Sequence, residues 1–292
     1  MSLAATGEIM AARSGRGIAA FNLVGIEHAE AIVVGAEQAG SPVVLAISEN
    51  CVAYHGTLEP VGRAALAVAA AAAVPVSVHL DHATSAGLVQ EGVRLGIRSV
   101  RFDASSLDYP ANVAATAELA SWCHERGVWV EAELGEIGGK DGVPAPGSRT
   151  SPNDAAAYVA ATGVDALAVA VGSSHAMLTR TAVLDLELIG RIRAAVPARV
   201  PLVLHGSSGV PEASLAAAVR AGMAKINIAT QLNKAFTAAV RESLAADPHV
   251  VDPRRYLATA RDQVATEVAR LLGVLGWKRG DDEPVPALER SA

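Results

Sequence analysis

Short, β-branched apolar runs recur along the chain: AAFNLV (19–24), PVVLAIS (42–48), VPVSVHLD (74–81), SVRFDAS (99–105), VWVEAELG (128–135), DALAVAVG (165–172), VPLVLHG (200–206) and KINIAT (225–230). Between them lie Ala- and Leu-rich stretches of helical length, among them GIEHAEAIVVGAEQAG, SAGLVQEGVRLG, SPNDAAAYVAATG and PEASLAAAVRAG. Several of these close on a glycine just before the next apolar run, the usual helix stop. Near-continuous apolar strands alternating with helices predict a parallel sheet covered by helices, and eight such units match a closed (β/α)8 TIM barrel of the α/β class. An open doubly wound sheet is the competing architecture. It would be expected to carry GxGxxG after an early strand, whereas the glycine-rich pieces here follow strands five to seven. After strand eight, QLNKAFTAAVRESLAAD reads as the eighth helix and PRRYLATARDQVATEVARLLGVL as an additional C-terminal helix. Residues 1–275 are thus expected to form one barrel domain, and 276–292 a polar tail.

Composition narrows the function classes. Hydrophobic residues make up 51% of the 292 positions, but His, Asp, Gly or Arg interrupts every apolar run before it reaches the length of a membrane span. The net charge of −6 comes without a Lys/Arg block, which leaves nucleic acid no electrostatic footprint. Cys51 and Cys123 are too few and too far apart for a disulfide framework or a CxxC metal site, so two reduced thiols in a cytoplasmic protein are expected. The start MSLAATGEIMAARSGRG lacks the basic, apolar, small order of a signal peptide, in keeping with that compartment.

In a barrel of this kind the site forms at the carboxyl ends of the strands. Strand three ends in Asp81 and His82, strand five in Glu131 and Glu133, strand six leads into His175, and strand seven ends in His205. Singly, each histidine reads as a polar strand-end residue satisfied by backbone. Three imidazoles at equivalent strand ends describe a catalytic divalent-metal site, most naturally Zn2+, although ligand type does not separate it from Co2+, Mn2+ or Fe2+. By strand alternation Asp81 and His79 share the inner face, with His82 at the opposite phase or on the first loop residue. Asp81 is then placed to exchange protons with a substrate, and His79 to support from deeper in the barrel. Glu131 and Glu133 also point inward, as outer ligands, partners of a histidine, or core carboxylates paired with a cation. Separately, HGSSG (205–209) and NIAT (227–230) end strands seven and eight, where barrels form phosphate cradles. Gly206 and Gly209 allow close backbone approach, Ser207, Ser208 and Thr230 supply donors, and Asn227 an amide.

Together, AFN (20–22), VHLDHA (78–83), EAELGEIGG (131–139), AVAVGSSHAM (168–177), PLVLHGSSG (201–209), KINIAT (225–230) and DPRRYL (252–257) resemble the class II, metal-dependent fructose-bisphosphate aldolases and their tagatose-bisphosphate relatives. The resemblance implies that His82, His175 and His205 bind zinc, that Glu133 is an outer zinc contact, and that Asp81 is the proton donor to the aldehyde-derived oxygen. It implies further that Gly172, Gly206, Ser207 and Ser208, with Asn227, Ala229 and Thr230, hold the dihydroxyacetone phosphate half, with Ser48 a weaker candidate. A monovalent cation near the loop after strand six, and an Arg254 that reaches the far phosphate of a neighbouring subunit in a homodimer or homotetramer, are implied too. The activity implied is reversible cleavage of a ketose 1,6-bisphosphate, fructose bisphosphate first and tagatose bisphosphate or another phosphoketose as rivals. A non-catalytic metal- and sugar-phosphate-binding member and a metal-dependent hydrolase are the competing classes. A Schiff-base mechanism is disfavoured, because Lys225 is expected at the bottom of the barrel, where strand eight begins.

Two departures from the family pattern stand out. In the loop GEIGGKDGVPAPGSRT, Lys140 and Asp141 stand where an acidic pair is usual; Asp141 or Glu136 then carries the proton step at the dihydroxyacetone phosphate carbon, or KDG is a solvated turn. Ala176 follows the His175 ligand where glycine is common, and Thr179 stands where some relatives offer lysine.

Overall fold

The computed structural model describes residues 3–134, 149–174, 177 and 179–277. Eight parallel strands pair in chain order and close on themselves: β1 (Ile18–Asn22), β2 (Val43–Ser48), β3 (Val76–Ala83), β4 (Ser99–Phe102), β5 (Trp129–Glu133), β6 (Ala166–Ala168), β7 (Leu202–Leu204) and β8 (Met223–Ile228). The expected TIM barrel is therefore present. Around it lie α1 (Thr6–Ala12), α2 (Ile26–Ala39), α3 (Glu49–His55), α4 (Glu59–Ala71), α5 (Ala86–Leu95), α6 (Tyr109–His124), α7 (Pro152–Thr162), α8 (Leu186–Ala195), α9 (Glu212–Ala221), α10 (Thr230–Ala246) and α11 (Pro253–Val274). Ser85, Asp108, Ser151 and Asp185 accept backbone N–H groups at helix starts, so local capping chemistry sets where these helices begin.

Alternation along each strand sorts the residues into two sets. Phe21, Leu45, Ile47, Leu80, Val100, Leu167, Leu202 and Ile226 are buried in the main apolar core, beneath the helices. Ala166 and Ala168 stand in register with Glu131 and Glu133, and with Ala170 and Val203 they form a second, smaller cluster. Alanines at these inward positions leave room for Arg101, Glu131, His79 and Lys225, all fully buried. This barrel interior is a charged layer rather than the aliphatic filling common in the fold.

The structure shifts several expected boundaries, and each shift bears on the site. β6 and β7 are shorter than the apolar runs, whose last residues leave the ladder and become site loops. β8 begins at Met223, and its pairing with β7 slips between Leu202 and Val203, bringing Lys225 opposite Val203. Lys225 therefore lies inside the barrel and not at its lower rim. Two short helices, α1 and α3, add to the helices expected from the sequence. α1 lies at the amino end of the barrel, where Thr6 Oγ1 and Ser77 Oγ share a hydrogen bond at 2.5 Å. α11 packs on α2, where Gly35 faces Ala265 and Val268 at a spacing no side chain would permit. Past α11, Trp277 turns back and donates from Nε1 to the Gly17 carbonyl at 2.7 Å. No described helix is long and apolar enough to cross a membrane.

Candidate active site

The mouth of the barrel is built on an irregular end of β3. Leu80 pairs with Val100 and Ala83 with Phe102, so β3 carries one residue more than β4 over this stretch. The irregularity includes His82, whose φ of 57° is left-handed, a conformation that costs a non-glycine residue about 1–2 kcal/mol. Strict alternation would turn Asp81 and His82 to opposite faces; the bulge brings both to the same cavity. His205, the first residue after β7, joins them. One donor atom from each of Asp81, His82 and His205 lies within 4.8 Å of the others. His175, Glu136 and Asp141 lie outside the described residues.

Beneath this group a chain of buried ionic contacts fixes orientation. Lys225 Nζ donates to Glu131 Oε2 at 2.6 Å, and Glu131 Oε1 accepts from His205 Nε2 at 2.8 Å. With Nε2 committed as a donor, the lone pair of His205 resides on Nδ1. Glu131 is thus a partner of a histidine and of a cation, two of the roles open to it from sequence. Lys225 Nζ also meets His79 Nε2 at 3.4 Å, while His79 Nδ1 bonds Ser99 Oγ at 2.7 Å. Burial, reinforced by Lys225, pushes the His79 pKa down to about 3, so it is a neutral supporting group. Burial and then the neighbouring Arg101 hold His205 neutral, well below the ordinary imidazole range. For Asp81 burial pushes the other way, but His82, His205, Arg101 and Lys225 outweigh it and keep the carboxyl well below its usual range. Asp81 Oδ2 accepts from Asn22 Nδ2 at 2.9 Å and Asn227 Nδ2 at 3.4 Å, whereas Oδ1 is buried without a hydrogen bond.

Donor chemistry and charge both suit a divalent cation. Two buried cations, Arg101 and Lys225, face four buried carboxylates, Asp81, Asp103, Glu131 and Glu133. Among the described residues these carboxylates outnumber the cations by two, in a region where charge is costly to bury. Imidazole nitrogens beside a carboxylate oxygen are the ligand types of a transition-metal site.

Above lies a cavity of about 350 Å³ whose lining includes Asn22, Ser48, Asp81, His82, His205 and Asn227. Its other wall is the expected phosphate loop, Gly206, Ser207 and Ser208, followed by Ala229 and Thr230. Gly206 has φ 68°, and a Cβ there would stand 2.7 Å from the Ser174 carbonyl carbon, so this turn needs glycine. Ser207 Oγ donates to the Asn227 carbonyl at 2.5 Å, tying β7 to β8, and Ser208 Oγ accepts from Met177 N–H at 3.0 Å. Ala229 precedes α10, whose first residue, Thr230, lines the same wall. Asn227 Oδ1 and Ser173 Oγ are buried without a hydrogen-bond partner among the described residues. Three expected site residues stand away from the cavity lining: Gly172; Glu133, which pairs with Arg101; and Arg254, whose exposed side chain pairs with Asp252 at 2.7 Å.

The family model described as fructose-bisphosphate aldolase class-II matches residues 8–279. The chain belongs to this family. Among solved structures, the YdjI aldolase of Escherichia coli K12 is 33% identical with a TM-score of 0.82, the match covering 94% of this chain and 98% of that one. A Coccidioides immitis protein assigned as a fructose-1,6-bisphosphate aldolase is 28% identical with a TM-score of 0.83, over 92% and 95% of the two chains. The Campylobacter jejuni fructose-bisphosphate aldolase, 21% identical with a TM-score of 0.75 over 94% and 95%, shares the fold.

Three site residues were not singled out from sequence. Asn22 orients Asp81, Asp103 Oδ2 stands 3.4 Å from His82 Nδ1, and Arg101 reaches both histidines. A signal for two of them existed: SVRFDAS places Arg101 and Asp103 at the same phase of a buried strand, and Arg101 pairs in register with Glu131.

Proposed function

We infer that the protein is a metal-dependent aldehyde-lyase that reversibly cleaves a ketose 1,6-bisphosphate to dihydroxyacetone phosphate and an aldehyde. One observation carries the reading: metal-type donors, a depressed carboxylate and a phosphate-type loop share a single cavity. Family membership supports the reaction class. Fructose 1,6-bisphosphate is the substrate assigned, with tagatose 1,6-bisphosphate or another phosphoketose as the alternative.

His82, His205 and His175 would hold a divalent cation, zinc in this reading, which supplies Lewis-acid polarisation of the substrate ketone. The glycine–serine loop and the start of α10 bind the phosphate of the dihydroxyacetone half, and Asn227 Oδ1, a buried acceptor without a hydrogen bond among the described residues, is free to accept from a substrate hydroxyl. Asp81 is ionised at rest. In cleavage it takes the C4 hydroxyl proton as the C3–C4 bond breaks, and in condensation it returns that proton. Asn22 aims the carboxylate through Oδ2 and leaves Oδ1 for the hydroxyl. The C3 proton is assigned to Asp141. Gly172 completes the assigned phosphate surroundings, with a monovalent cation beside it, and Glu133 borders the metal site through its pairing with Arg101. Arg254 stands outside its own chain's cavity and is assigned to the far phosphate of a second copy in a cytoplasmic homodimer or homotetramer.

The test is a panel of ketose phosphates assayed with and without EDTA, coupled to detection of dihydroxyacetone phosphate. Turnover of a bisphosphate that disappears with EDTA is expected. EDTA-resistant turnover would overturn the metal role, and no turnover of any phosphoketose would overturn the activity. Asp81→Ala should abolish most turnover and leave metal content unchanged.

A further inference from the structure

Resting on that reading of the site as a metal centre, we propose that Arg101 is a resident cation that competes with the metal for its ligands and so limits how tightly the metal is held. Arg101 is fully buried in the middle of β4. Its Nη1 lies 2.6 and 2.9 Å from the two ring nitrogens of His82 and 2.9 Å from His205 Nδ1. An imidazole offers at most one lone pair, so one of the two His82 nitrogens and Nδ1 of His205 are the donors a metal ion would take, and the Glu131 contact leaves His205 no other nitrogen to offer. The same Nη1 stands 3.6 Å from Asp81 Oδ1, the remaining donor of the group.

A guanidinium does not give up its proton, so the overlap is relieved only by movement. The anchor for that movement is present. Nη2 is paired with Glu133 and lies 3.7 Å from Asp103 Oδ2, and both carboxylates are buried. The side chain can therefore pivot Nη1 away from the histidines and stay neutralised through Nη2. Two consequences follow. Without metal, Arg101 holds the ligands together and neutralises one of the four buried carboxylates around them. With metal, its unit positive charge stays within a few ångströms of a dication, and even at an effective dielectric of about 20 that repulsion weakens binding by more than about tenfold. In this arrangement Glu133 serves as the partner of Arg101 rather than as a metal donor.

The test uses the full chain stripped with EDTA, with zinc affinity measured by competition against a chromogenic chelator and thermal unfolding followed in parallel. Arg101→Gln should bind zinc at least about tenfold more tightly than the wild type, although its metal-free form unfolds at lower temperature. Arg101→Lys keeps the charge and should stay within about threefold of the wild type, a small fraction of the Coulombic effect. A folded Arg101→Gln with unchanged or weaker zinc affinity overturns the proposal and leaves the arginine a structural role. Should Arg101→Gln fail to fold, Arg101→Lys decides alone, because a large gain in affinity with the charge retained would exclude competition. If neither the wild type nor the variants bind zinc, the metal reading itself fails; if the wild type binds and Arg101→Gln equals it, only the present inference does.

Discussion

Removal of the Glu131 carboxylate should show how far the charged layer is a coupled unit. Glu131→Gln leaves the Lys225 ammonium, fully buried and 2.6 Å from the lost oxygen, with His79 Nε2 at 3.4 Å as its remaining hydrogen-bond contact among the described residues. Breaking one side of a buried pair in this way costs about 3–5 kcal/mol, a large part of a typical stability of about 5–15 kcal/mol. At about 2–4 °C per kcal/mol for a chain approaching this size, the melting temperature should fall by roughly 6–20 °C. Lys225→Met should cost a similar amount, because Glu131 then keeps its charge with the His205 Nε2–H at 2.8 Å and Arg101 Nε at 3.9 Å as its contacts among the described residues. The double variant removes both charges together, and its loss should be smaller than the two single losses combined by at least about 2 kcal/mol. Urea unfolding of EDTA-treated protein, followed by circular dichroism with equal m-values required, measures all three. Additivity within about 0.5 kcal/mol would refute the reasoning, since it would mean that the two charges are independently solvated.

Other expectations can be checked alongside. Gly206→Ala forces a left-handed residue and sets a methyl 2.7–2.9 Å from the Ser174 backbone, so it should cost about 2–5 kcal/mol and raise KM for any phosphorylated substrate; wild-type KM in a folded variant would contradict the phosphate-loop assignment. His79 is held neutral down to about pH 3, while an unfolded histidine protonates near 6.5. In metal-free protein its contribution is therefore complete above pH 6.5 and is lost as pH falls toward 3, with a slope of about 1.4 kcal/mol per pH unit that His79→Gln should remove. Burial pushes the Tyr158 pKa up to about 12, against the opposing effect of its hydrogen bond with Thr116. Stability should accordingly decline above pH 10, where the unfolded phenol ionises and the folded one does not, and Tyr158→Phe should flatten that decline in an alkaline urea series.

How much was legible in the sequence varied with the range of the interaction. The eight strands were readable because a strand buried on both faces needs a continuous apolar run, and most of the helices because alanine-rich segments stop at glycine before the next strand. Strand ends were less readable: β6 and β7 stop early, although their apolar runs continue into the loops that carry Gly172 and Gly206. Asp81, His82 and His205 could be named because polar residues interrupt apolar runs at equivalent ends. Lys225 was misplaced because the slip between β7 and β8 has no local signature in MAKINI.

The sequence by itself determined the barrel, its order and its family, since these rest on periodicity and motifs written within short windows. Only the tertiary structure decided that Asp81 and His82 face the same cavity, because the left-handed turn at His82 overrides the alternation a strand would impose. The tertiary structure also decided which charges meet. Arg101 touches His205 across 104 positions of chain, and Lys225 meets Glu131 across 94. Barrel closure brings such residues together, and in a low-dielectric interior each charge acts on whatever it faces rather than on its neighbours in sequence.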